Sequence, residues 1–125
     1  MLKDKPSSAI IAVKDIERAR SFYSDVLGLE LADEEMDGVL GFRTGDTWLV
    51  VYRSDEAGSN RANAVVWSVG DDMEAIVADL RAKGVRFERY PDMGMALKGD
   101  IYVAGDMQMV WFKDLDGNIL HLNSM

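Results

Sequence analysis

The chain has no cysteine and only one histidine among its 125 residues. Without cysteine there can be no disulfide, no thiol nucleophile and no thiolate metal site. Since His121 is the single imidazole in the sequence, no second histidine can help it to hold a metal ion. The sequence therefore excludes several common kinds of catalytic and structural centre before any motif is considered.

The sequence also lacks a long apolar run and has an excess of acidic residues. No segment approaches the roughly 18 consecutive apolar residues that a membrane-spanning helix needs, and residues 1–8 are polar, unlike a signal peptide. Fourteen basic residues against 22 acidic ones give a net charge of −8, which repels nucleic acid and anionic membranes. We expect a soluble, cytoplasmic protein that binds neither nucleic acid nor a membrane.

Apolar residues are abundant and are spread along the whole chain. They make up 48% of the sequence, which is typical of a folded protein rather than a disordered one. A chain of this length suits one domain with a hydrophobic core. The acidic surface has two interpretations, either solubility alone or a field that attracts a cationic ligand.

A degenerate internal repeat organises the chain. Each copy contains an apolar strand-like run, an Asp suited to capping a helix, a helical segment, and a Gly suited to ending it. These features lie at residues 9–13, Asp15 and Gly28 in the first copy and at residues 64–69, Asp71 and Gly84 in the second. Glu74, three residues after Asp71, completes the pattern of a capping box.

Further strand-like runs follow each predicted helix. They lie at residues 29–31, 39–42 and 48–52 in the first copy, and at residues 85–88, 101–103, 107–113 and 119–122 in the second. The polar stretch 54–63 predicts a linker. The fold class predicted is α+β, with residues 1–125 forming one domain from two βαβββ modules, at about 8–53 and 64–125.

Two segments carry a resemblance to a known family. Residues 114–122 read Asp-Leu-Asp-Gly-Asn-Ile-Leu-His-Leu, a tight turn between apolar runs, and residues 19–29 run from Ala-Arg-Ser-Phe-Tyr to Leu-Gly-Leu. The chain resembles the glyoxalase/bleomycin-resistance/dioxygenase (vicinal oxygen chelate) superfamily over nearly its whole length. This resemblance implies a curled mixed sheet around a cleft, often completed by a second chain in a homodimer, which we expect here as well.

Metal-dependent members of that family carry His, Gln or Glu ligands at four positions. The resemblance places these positions on Ser8, Val50, Ala64 and His121. A divalent metal needs several imidazole or carboxylate donors converging at about 2 Å, whereas Ala and Val offer none and Ser is a poor neutral ligand. We therefore predict no metal and no cofactor.

The residues that share a face with these positions predict the lining of the cleft, because side chains alternate along a strand. For the penultimate strand the assignment comes from the resemblance. The predicted ligand-binding residues are Ser8, Trp48, Val50, Tyr52, Ala64, Ser68, Met107, Met109, Trp111 and His121. An apolar, aromatic lining with a few polar groups suits a flat organic molecule. The alternative is that these side chains simply fill the core.

Three functions follow from this pattern. The first is metal-independent binding of a small aromatic or cationic molecule, of which antibiotic sequestration, as in the bleomycin-resistance proteins that this chain resembles, is one form. The second is a lyase or isomerase of the glyoxalase type with a divergent active site, in which His121 is the one histidine that can act as a base. The third is a vestigial cleft in a protein that binds a partner.

Overall fold

The computed structural model describes residues 1–125, except for the side chain of Met93. The chain divides into two compact units, Met1–Ser59 and Asn60–Met125, and this division falls inside the segment 54–63. Each unit contains one mixed sheet with a helix. The α+β class and the two βαβββ modules predicted from the sequence are confirmed, with one additional strand in the second module. Among the described residues, no helix is both long and apolar enough to cross a bilayer.

The first unit follows the predicted order closely. Its elements are β1 (Ala9–Val13), α1 (Ile16–Ser21), β2 (Glu30–Asp33), β3 (Val39–Thr44) and β4 (Thr47–Arg53). The strand order is β1-β4-β3-β2, with β1 parallel to β4 and the other pairs antiparallel. Asp15 caps α1 as predicted, because its carboxylate accepts hydrogen bonds from two backbone N–H groups at its start, both at 3.1 Å.

The two faces of the first sheet have different environments. Residues paired across neighbouring strands share a face, so Ile11, Val51 and Leu40 lie together, and each is at most 2% exposed. Tyr23, in the π-helical turn that continues α1, packs on this face with its ring 5.8 Å from that of Phe42. The opposite face is open.

The second unit contains one more strand than the first. Its elements are β5 (Asn63–Ser68), α2 (Met73–Ala82), β6 (Ala96–Lys98), β7 (Ile101–Ala104), β8 (Met107–Lys113) and β9 (Ile119–Asn123). The strand order is β5-β9-β8-β7-β6, with β5 parallel to β9. One face holds Leu120, Leu122, Val110 and Phe112, all at most 4% exposed. They belong to the core, together with the buried residues of α2, which are Met73, Val77 and Leu80.

Two local predictions for the second unit are wrong. Residues 85–88 form no strand, only a single bridge between Phe87 and Phe112. The chain leaves the sheet there for a helical turn at Pro91–Met93. The next strand is β6, at residues 96–98, where the sequence predicts no strand. Asp71 does not cap α2, because it lies inside a preceding 3₁₀ turn, Gly70–Asp72, one residue too early.

The turn before the last strand is built as the sequence predicts. One carboxylate oxygen of Asp114 accepts hydrogen bonds from the backbone N–H groups of Asp116 and Asn118, both at 2.9 Å. The other oxygen accepts from the Asn118 side-chain amide at 2.8 Å, and Gly117 takes the left-handed conformation with φ of 90°. This turn fixes the register in which His121 on β9 lies opposite Trp111 on β8.

Candidate functional site

A pocket of about 290 Å³ lies in the first unit. It is lined by Ser8, Asp33, Met36, Val39, Leu40, Gly41, Trp48 and Val50. Most of these residues share the open face of the sheet, where Val50 pairs with Gly41, and Gly41 pairs with Asp33. The structure therefore brings together three residues predicted to bind ligand: Ser8, Trp48 and Val50.

Gly41 gives the pocket its space. The other ten of the 11 glycines in the chain have positive φ. That backbone conformation favours glycine and accounts for their presence. Gly41 lies in ordinary extended backbone within β3, and a Cβ there would be 3.2 Å from the Asp33 Cβ and 3.5 Å from Cε3 of Trp48. The missing side chain is what leaves room between Asp33 and the indole of Trp48.

The pocket has one acidic residue in its lining and one basic residue against its aromatic wall. Asp33 is the one ionisable residue among those that line it. The guanidinium of Arg43 lies over the Trp48 ring, 4.9 Å from the ring centroid, which is a favourable cation–π geometry. The site thus combines an aromatic wall, which already contacts one cation, with a carboxylate at its edge.

Sequence reasoning missed five of the eight lining residues: Asp33, Met36, Val39, Leu40 and Gly41. Asp33 and Met36 lie between the strands predicted at residues 29–31 and 39–42, in a segment for which the sequence predicts no strand. Gly41 carried a readable signal, because a glycine inside an apolar strand often marks a close approach of backbone or ligand. Tyr52, which was predicted to bind ligand, lies on the same face opposite Val39 but does not line the pocket.

Four aromatic side chains cluster in the second unit. The rings of Trp111 and His121 are stacked, with centroids 4.6 Å apart and an angle of 21° between planes. Tyr90 and Tyr102 meet Trp111 edge to face, at 5.6 and 5.8 Å. In register beside His121 is Val66, which is 56% exposed, so this cluster borders an open part of the sheet.

The environment of His121 determines its protonation. Its Nδ1 lies 3.1 Å from the Val110 carbonyl oxygen, so the neutral ring carries its hydrogen on Nδ1 and donates it there. Nε2 is then an acceptor, and it forms no hydrogen bond with any group in the described part of the chain. Burial lowers the pKa of His121, and the hydrogen bond to Val110 only partly opposes this.

The lowered pKa of His121 makes stability depend on pH. At a pH below about 6.5 the unfolded chain takes up a proton that the folded chain does not yet bind, so the free energy of unfolding should fall as the pH decreases through this range. Urea denaturation between pH 7.5 and 5 measures this. In the variant His121→Gln the decrease should be smaller, and an equal decrease would contradict the assignment.

The remaining predicted site residues lie in the second unit. Asn123 on β9 pairs with Ser68 on β5 and with Met109 on β8. Since Asn123 lies two residues after His121, Ser68 and Met109 share the face of His121. Met107, two residues before Met109 on the same strand, lies on this face as well. Ala64 lies at an irregularity where the pairing of β5 with β9 shifts register. Their role in ligand binding stays a prediction.

The residues at the family's metal positions do not fit a metal ion. In the first unit, Ser8 and Val50 line the pocket and supply one hydroxyl between them. In the second, His121 has Val66 and Trp111 as its register neighbours, neither of which is a ligand. No group of three His, Cys, Asp or Glu side chains converges in the part of the chain that the structure describes. This donor set is too poor for a divalent ion.

Paired βαβββ units with helix-covered and open sheet faces define the vicinal oxygen chelate class of fold. The chain belongs to the Glyoxalase/Bleomycin resistance protein/Dioxygenase superfamily, whose model matches residues 5–122. A comparison with curated protein sequences finds no significant match.

Solved structures share the fold at low sequence identity. UcmS2 is 20% identical, with a TM-score of 0.76 and coverage of 97% of this chain and 98% of that one. The fosfomycin resistance protein FosX from Listeria monocytogenes is 15% identical, with a TM-score of 0.75 and coverage of 97% and 91%. An integron cassette protein from the metagenome of the Halifax Harbour sewage outfall is 16% identical, with a TM-score of 0.72 and coverage of 98% and 99%.

Proposed function

We propose that this protein binds a small aromatic or cationic organic molecule without a metal ion, in the pocket of the first unit. The observation that carries this proposal is Gly41, where the lack of a side chain keeps open a space between Trp48 and Asp33. An indole wall offers a planar ligand a stacking surface. The apolar side chains of Val39 and Val50, which line the same pocket, favour contact with the apolar part of a ligand over contact with water.

The size of the pocket limits the ligand. Its volume of about 290 Å³ is at the lower end of the roughly 300–1,000 Å³ found for sites of drug-sized ligands. The pocket therefore suits a one-ring compound or one ring of a larger molecule. Met36 at its edge has an unbranched side chain that can adapt to ligands of different shape.

We infer that the biological role is sequestration, with antibiotic resistance as its setting, and that the protein acts as a homodimer. Structural neighbours include fosfomycin resistance proteins from Listeria monocytogenes and Mesorhizobium loti, which supports a resistance role. One of those neighbours was solved with Mn(II), whereas the donor set of this chain favours binding without a metal.

The test is binding of benzyl alcohol, followed by the indole N–H signals in an NMR spectrum. The chain has three tryptophans. We expect the signal of Trp48 to shift saturably. The signal of Trp67, which lies in the second unit on the face of the sheet opposite to His121, should stay in place. The variant Trp48→Ala should weaken binding at least about fivefold, since a stacked ring contributes about 1 kcal/mol beyond its buried area. Trp67→Phe is the control. Absence of any shift, or shifts confined to the other tryptophans, would contradict the proposal.

A specific observation favours a second candidate, a metal-free lyase or isomerase. Nε2 of His121 is an unprotonated acceptor without a partner in the described residues, as a general base requires. Turnover of a candidate substrate that is lost in His121→Gln and unchanged by a chelator would support this function. Recovery of every bound compound unchanged would support sequestration.

A further inference from the structure

We propose that the pocket of the first unit selects an organic cation, with the ammonium group against the carboxylate of Asp33 and the apolar part against Trp48. This rests on the proposed function and specifies the ligand class. Among the eight lining residues Asp33 is the one that carries a charge, and none of them is basic. A ligand anion would therefore meet an uncompensated carboxylate, whereas a cation would find a partner.

The carboxylate of Asp33 is positioned to accept a further hydrogen bond. Its Oδ1 accepts from the backbone N–H of Glu35 at 3.1 Å, which fixes the orientation of the group. Its Oδ2 has no hydrogen-bond partner among the described residues. An ionised carboxylate can accept about four hydrogen bonds, so most of its capacity remains for an ammonium ligand.

The nearby basic side chains are paired with other acids. Arg20 binds Glu34 at 2.8 Å, and Arg53 lies 3.4 Å from Asp37, so these two arginines are engaged by two of the three other acidic residues on this loop. No ion pair to Asp33 is formed by the residues that the structure describes. The charge of Asp33 is therefore available to a ligand.

The second group, Trp48, already contacts a cation. The guanidinium of Arg43 lies 4.9 Å from its ring centroid, although Arg43 itself does not line the pocket. Trp48 is 36% exposed, and the edge of its ring that carries Cε3 and Cζ3 lies beside Gly41 at the pocket. Ligand and Arg43 can thus contact different parts of one indole, and the negative face of the ring favours cations.

The experiment compares benzylamine, which is protonated at pH 7, with the neutral benzyl alcohol of nearly the same shape. We expect the wild-type protein to bind benzylamine about fivefold more tightly, which is the upper range for an exposed ion pair. The preference should disappear in Asp33→Asn and persist in Asp37→Asn, which removes the same charge from the same loop outside the pocket. Added salt should weaken benzylamine binding and leave benzyl alcohol binding unchanged.

The outcomes separate this proposal from the proposed function. If both compounds bind with equal affinity, or if Asp33→Asn keeps the preference, cation selection by Asp33 is wrong while aromatic binding stands. If Asp37→Asn removes the preference as completely as Asp33→Asn, the overall acidic field is responsible and the assignment to Asp33 is overturned. If neither compound binds, the proposed function itself fails.

Discussion

Replacing Gly41 with alanine should weaken binding of a one-ring aromatic probe at least about tenfold, because one added methyl group in a tight apolar site changes binding by about 1–3 kcal/mol. The new Cβ would lie 3.2 Å from the Asp33 Cβ and 3.5 Å from the Trp48 ring. Since Gly41 has no positive φ, alanine meets no backbone strain there. Titration of the Trp48 indole signal with benzyl alcohol measures the change.

The fold of Gly41→Ala must be checked separately, by comparing its thermal unfolding midpoint and amide spectrum with those of the wild type. Val39→Ala is the matched counterpart, because Val39 lies on the same strand and lines the same pocket but loses volume instead of gaining it. Val39→Ala should not weaken binding to the same degree. Unchanged binding in Gly41→Ala would show that the ligand lies elsewhere.

The second large effect is on stability. Replacing Asp114 with alanine should lower the free energy of unfolding by about 3 kcal/mol, because hydrogen bonds to a charged group contribute about 1.5–3 kcal/mol and buried donors would lose their acceptor. The Asp114 carboxylate, only 6% exposed, accepts bonds from both Asp116 and Asn118. Urea denaturation measures the loss.

Leu115→Ala is the control for this second prediction. Leu115 lies in the same turn and is 44% exposed, so its replacement should change the free energy of unfolding by no more than about 0.5 kcal/mol. A loss in Asp114→Ala as small as that in Leu115→Ala would mean that the turn is held by its backbone alone.

The fold could be predicted largely because its signals are local. Asp15 caps its helix, Gly28 ends the first helical segment with φ of 72°, and 114–118 forms the expected turn, each through hydrogen bonds or dihedral angles within a few residues. Strand alternation also placed Trp48 and Val50 on the open face of their sheet. The predictions of a strand at 85–88 and of a cap at Asp71 were wrong because each region contains an additional helical turn, at Pro91–Met93 and Gly70–Asp72. Such a turn changes the residue at which the next element begins.

The site was harder to predict, since it depends on pairing between strands that are distant in the sequence. Asp33 becomes part of the pocket because an irregularity in β2 places it opposite Gly41, and no pattern in residues 30–37 specifies that irregularity. Strand alternation cannot separate Tyr52 from Val50, because both lie on one face of the sheet. The stacking of His121 on Trp111 likewise follows from the register of β8 and β9.

The most direct test of this account is native mass spectrometry of the protein purified without chelators, with and without benzylamine. We predict a metal-free homodimer that takes up the compound saturably, one molecule for each chain, and releases it unchanged. One tightly held divalent ion per chain, carried through purification, would contradict the account and make metal-assisted catalysis the leading function.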